Sequence, residues 1–272
     1  MRTLCICLAL FGAMLIADEP PMVAHPSMYK VRYMPEKPFI KVLLAQDKEA
    51  LKVEVTGAHN VYDPYTGSKL DSAFSASSYV MKPTSDGIRW GQEFPGTYQL
   101  VIVPDSKGEI GVSVNGTLYG GVVAFYQIND RLAAVNWIAL EEFTASLLSS
   151  TFLPQDEDQK EAIAAYAIAF RSRVYEQIME PSATYWDVNA EDCGYKGRSI
   201  VRNDKPFFLA MRNSRRIVMR STSEGLSKKS LAMILHLMPF DQVRTMANEG
   251  RDARYILKKS YPTVEIQVIP QA

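Results

Sequence analysis

The chain has very little with which to hold a metal. Its 272 residues include 3 histidines and 3 cysteines, and His25, His59 and His236 stand far apart, without ligand spacing. No metal and no cofactor is expected. Cys5 and Cys7 lie in the first apolar run, so a chain that loses that run keeps Cys193 alone and forms no internal disulfide. Neither early cysteine follows the small residue of a lipoprotein box. Net charge is missing too. The 30 basic and 30 acidic residues cancel, which removes any general argument for nucleic acid or a membrane surface as partner. Repeats and low-complexity tracts are absent.

Long apolar runs are confined to Leu4–Ala17, which follows Met1-Arg2 and precedes Asp18-Glu19-Pro20-Pro21. That run is short for a bilayer span and suits the core of a signal peptide. Cleavage after Ala17 is one outcome, and an uncleaved anchor over 1–17 is the other. Either way the expected location is the periplasm or cell envelope. Residues 18–38, with five prolines from Pro20 to Pro38, read as an extended linker to a domain over 39–272. At 47% hydrophobic and 22% charged, the composition is that of a globular chain with ample core.

From Phe39 the pattern alternates. Ile40, Val42 and Leu44, then Leu51, Val53 and Val55, predict half-buried strands. Further strands are expected at Gly87–Trp90, Tyr98–Val103, Gly111–Val114, Gly121–Ile128 and Leu132–Ile138, with Asn115-Gly116 as a hairpin turn. Asp63-Pro64-Tyr65-Thr66-Gly67 is turn chemistry. Helical spacing begins at Leu140, with Phe143, Leu147 and Leu148 on one face. A longer helix is expected over Asp158–Ile178, then shorter ones over Ser227–Leu237, Phe240–Gly250 and Asp252–Lys259, and a closing strand at Val264–Val268. The fold class is α+β, β-rich in its N-terminal half and helix-rich in its C-terminal half.

Several stretches carry a resemblance in the same order along the chain. Val135-Asn136-Trp137-Ile138-Ala139-Leu140-Glu141-Glu142-Phe143 resembles a V-N-x-x-x-L-E-x-Y/F motif. Val114-Asn115-Gly116-Thr117-Leu118-Tyr119-Gly120-Gly121 resembles V-N-G-x-x-Y-R-G, with glycine for the arginine. Glu161 to Ser172 resembles E-A-L-K-A-Q-A-V-A-A-R-T, and Ile256-Leu257 with Tyr261-Pro262 resembles a closing I-L-x-x-Y-P. These motifs are similar to those of the SpoIID/LytB family, the stage II sporulation protein D group of envelope proteins. The resemblance spans roughly Phe39 to Ile269. It implies a SpoIID-like fold and a role on peptidoglycan in cell-wall remodelling or division, in homologues outside spore-formers as well.

The departures fall on polar positions. The family's proton donor, a glutamate ten residues after the L-E glutamate, corresponds here to Thr151. Ala164 and Tyr166 replace the lysine and glutamine of K-A-Q, while Glu141, Arg171 and Ser221 are kept. Lytic cleavage needs one carboxyl of raised pKa that protonates the bridging oxygen and then takes the proton of the muramic C6 hydroxyl. A threonine hydroxyl does neither near neutral pH. Asp156, Glu157 and Asp158 are the candidate substitutes, though three acids there also suit the first turn of a helix. Arg216 and Arg220, with Arg212, Arg215, Lys228 and Lys229, form a basic run that either meets muramic carboxylates or is a solvated surface. The substrate-binding candidates are Glu141, Arg171, Arg216, Arg220 and Ser221.

Three readings follow. One is an exported protein that binds peptidoglycan glycan strands, denuded ones included, with lytic transglycosylase activity weakened or lost. It implies an open groove lined by Arg171, Ser221 and part of the basic run. Another is a working enzyme with a displaced acid beside Thr151. The last is a structural or partner-binding envelope protein whose groove is filled by Tyr166 and Met219. Amidase or divisome proteins are the partners the resemblance admits.

Overall fold

A computed structural model of the chain describes residues 38–105, 111–151, 159–179, 185–198, 205–221 and 238–270. The expected leader, nearly all of the linker and the helix expected over Ser227–Leu237 lie outside the described residues.

Alternation organises the N-terminal half. In β1 (Phe39–Lys48), Ile40 and Val42 are fully buried, and in β2 (Leu51–Val55) the odd positions turn inward. β3 (His59–Tyr62) and β4 (Lys69–Ala73) are joined by the Asp63 turn, where the Gly67 amide donates to the Asp63 carbonyl at 2.8 Å. Then come β5 (Ser77–Thr84), β6 (Gly87–Trp90), β7 (Gln92–Pro95) and β8 (Gln99–Pro104). β9 (Val112–Val114) turns into β10 (Thr117–Tyr119) through Asn115 and Gly116, at φ 50° and 86°. Positive φ at both central residues is what a two-residue hairpin with right-handed twist requires.

β11 (Val122–Ile128) and β12 (Arg131–Ala139) are buried on both faces, so their sequences run apolar throughout rather than alternating. The inner set (Val123, Phe125, Leu132, Ala134, Ile138) joins the main core, and the outer set (Ala124, Tyr126, Val135, Trp137) joins a second cluster with Tyr185 and Trp186.

The C-terminal half supplies the helices. α1 (Leu140–Thr151) continues directly from β12, and α2 (Lys160–Met179) follows. β13 (Val188–Asn189), α3 (Ala190–Cys193), α4 (Lys205–Asn213) and β14 (Ile217–Ser221) come next. α5 (Phe240–Asn248), α6 (Ala253–Ser260) and β15 (Val264–Val268) close the chain. Every residue of α2 from Ala162 to Ser172 is buried. A helix that is apolar all round belongs in the middle of a bundle, and α2 is packed by α1, α4, α5, α6 and β14. Its alanines let those neighbours approach closely.

Among the described residues, one sheet has the order β13-β1-β12-β11-β8-β3-β4, another β10-β9-β2-β5-β6-β7, and β14 pairs β15. The first two share one core, and the helices around α2 build a separate one. The protein is thus a mixed α/β fold, β-rich in its N-terminal half and helical in its C-terminal half.

Candidate functional site

Glu141 opens α1 and Arg171 lies two turns before the end of α2. The Arg171 guanidinium has no exposed surface. One of its terminal nitrogens donates to Glu141 Oε2 at 2.8 Å, and the other to the carbonyls of Ser214 and Ile217 at 2.8 and 3.0 Å. Burial pulls its pKa down and the Glu141 carboxylate opposes that shift. The second carboxylate oxygen of Glu141 accepts the Arg216 amide at 2.8 Å. Arg216 itself has φ 63°, and its side chain donates to the Ile269 carbonyl. One ion pair therefore ties α1, α2 and the turn into β14 together. It is a brace.

The next residue extends it. Ser172 Oγ donates to the Ile168 carbonyl and accepts the Met219 amide at 2.7 Å, joining α2 to β14. Tyr166 is fully buried, stacks on Phe240 with ring centroids 6.5 Å apart, and donates its hydroxyl to the Met238 carbonyl. Met219 is also buried.

Thr151 is the last residue of α1. At about 1.5 Å per residue, it lies about 15 Å along the helix from Glu141. The spacing that made the two look like parts of one site puts them at opposite ends of one helix. Asp156, Glu157 and Asp158 lie outside the described residues, as do Lys228 and Lys229. Ser221 ends β14 opposite Val264, and Arg220 is exposed opposite Glu265. Arg212 and Arg215 are exposed, while Arg216 is half-buried in its turn. The structure thus brings together Glu141, Arg171 and Arg216, and leaves Arg212, Arg215 and Arg220 on the surface.

One correction follows. Arg171 does not line an open groove, because the bundle covers it completely. Trp90 and Trp137 belong to the core. Trp90 is buried and donates to the Val53 carbonyl at 3.3 Å, and Trp137 lies 6.4 Å from the Phe39 ring inside the second cluster. Trp186 is half-buried.

Sequence reasoning missed a polar node in the β half. Asn136 is fully buried on the inner face of β12. Its amide donates to the carbonyls of Gly120 and Val122 at 2.7 and 2.9 Å, and its oxygen accepts the Tyr195 hydroxyl at 2.8 Å. The turn it holds contains Gly121 at φ 67°, where an added Cβ would lie 2.3 Å from the Trp137 carbonyl oxygen. The available signal was a lone asparagine in an otherwise apolar strand. Among the described residues no three His, Cys, Asp or Glu side chains converge as a metal site. No described helix is long and apolar enough to cross a membrane. Burial pushes the half-buried Cys193 thiol up to about 11.

No family model matches the chain, and no solved structure matches it. An uncharacterized protein of Chlamydia pneumoniae is 28% identical over 269 residues, which are 97% of this chain and 93% of that protein. An uncharacterized protein of Chlamydia muridarum (strain MoPn / Nigg) is 30% identical over 235 residues, 86% of this chain and 78% of that protein. The chain belongs to the family that these chlamydial proteins form.

Proposed function

We propose that the protein is an exported, SpoIID-like envelope protein that holds peptidoglycan glycan strands without cutting them. The observation that carries this reading is the Glu141–Arg171 pair. Glu141 and Arg171, two of the charged motif residues that the chain retains, are bonded to each other and to backbone, so they serve the scaffold. Position 151 carries a hydroxyl in place of an acid. Loss of the proton shuttle removes roughly 10²–10⁴ in rate. Thr151 then marks a retired site.

In this reading glycan contact falls to the exposed cations. Arg212, Arg215 and Arg220 offer forks suited to the lactyl carboxylates of denuded strands. The test is sedimentation of the protein with denuded strands. Wild type pellets with them, and Arg212→Ala/Arg220→Ala releases it several-fold, with the loss mimicked by high salt. Wild type that stays in the supernatant at low salt contradicts glycan binding.

One observation favours the second reading, a partner-binding envelope protein with no glycan affinity. Tyr166 and Met219 are both buried in the helical core, in line with that reading. It predicts no pelleting and no salt effect.

A further inference from the structure

A cavity of about 310 Å³ opens between α2, α4 and α6. We propose that it binds a small organic carboxylate carrying a short apolar body, such as an N-acylated small amino acid. This goes beyond glycan holding and does not depend on it.

The floor is apolar. Ala164, Ile168 and Ala210 are buried there, and Ile217 and Ile266 complete it from the β14–β15 pair. Ala164 matters most, because any longer side chain at that position would project into this space. The residue that resemblance to K-A-Q leads one to expect, lysine, would fill it.

The charged rim divides into committed and uncommitted groups. Glu161 Oε2 accepts the Ala253 amide at 3.0 Å, and Asp252 Oδ1 accepts the Tyr255 amide at 2.7 Å. Both carboxylates are thus directed at the first turn of α6, whose partial positive charge they offset. Two amides of that helix end already have carboxylate partners, so it is not what would hold an anion. Lys160 and Arg254 are exposed, line the same cavity, and make no ion pair among the described residues. Two exposed cations above an apolar floor select a ligand with one anionic end and one apolar end. Asn213, exposed on the same rim, adds an amide that can bond an acyl group.

The cavity also touches the brace. Ser214 and Ile217 line it, and their carbonyls receive Arg171. An occupant would therefore rest against the turn that locks α2 to β14.

The test titrates the full-length protein with N-acetylalanine and with N-acetylalaninamide, following backbone amide shifts at Ala164, Ala210 and Ala253. The proposal expects saturable shifts at these three with the acid, and affinity about tenfold or more weaker for the uncharged amide. Lys160→Ala/Arg254→Ala, which changes only exposed positions, should weaken the acid by a similar factor. Ala164→Leu should abolish binding by filling the floor. Should that variant misfold, the rim variant still decides. Equal binding of acid and amide, unchanged affinity in the rim variant, or no saturable shift with the acid overturns the proposal.

Discussion

Arg171 is a charge with no exposed surface in a helix whose neighbours are alanine, isoleucine and phenylalanine. Removing an ion from water costs several kcal/mol, and only a well-placed partner with further hydrogen bonds offsets it. Glu141 and the Ser214 and Ile217 carbonyls supply these. Glu141→Gln leaves the guanidinium buried without its counter-charge and should cost about 3–5 kcal/mol. Arg171→Met in the same background should restore much of that, since the uncompensated charge is gone. Urea midpoints at constant slope measure both, and a loss below about 1 kcal/mol in the first variant contradicts the brace. At Gly121 the argument is steric. Alanine there meets the Trp137 carbonyl oxygen at 2.3 Å in a left-handed backbone, and should destabilise by about 1–3 kcal/mol in the same assay.

At the scale of elements, Asp187 bolts β13 to β1 and α2. Its Oδ2 accepts the Lys41 amide at 2.8 Å, its amide donates to the Lys41 carbonyl at 2.8 Å, and its carbonyl receives Gln177 at 2.6 Å. Burial raises the Asp187 pKa, and the bond from Lys41 only partly opposes this. The folded chain thus holds the proton more tightly than the unfolded one. Stability from this group is complete below the ordinary aspartate value and declines as pH rises from about 4 through the raised folded value. Asp187→Asn keeps an acceptor for Lys41 and should flatten that decline. An unchanged slope of urea midpoint against pH contradicts the assignment.

Which elements were legible follows from the same physics. β1, β2, β11, β12, α1 and α2 bury most of their apolar residues, so periodicity or apolar runs mark them. β4, β5 and β7 bury at most one residue each and are held by ladder bonds to neighbours that no local pattern reveals. α4 was missed although Pro206 near its start and Arg212 in its last turn are helix signals. At the site, the motif spacing identified Glu141 and Arg171 but not their partnership. That depends on a turn at Ser214–Ile217, distant in sequence from both.

At the scale of the molecule, two cores meet at α1. Leu140, Phe143 and Leu147 pack into the β core and Leu148 into the helical one. The brace sits at this junction, which gives Glu141 and Arg171 a structural role independent of the residue at position 151. Under the proposed function the chain holds glycan strands and does not cut them. The most direct test incubates the protein with denuded glycan strands and analyses the soluble products by mass spectrometry for anhydro-muramic ends. The account predicts none above a protein-free control. Anhydro ends that disappear with an Asp156→Ala/Glu157→Ala/Asp158→Ala change would contradict it, because the acid would then have moved rather than been lost.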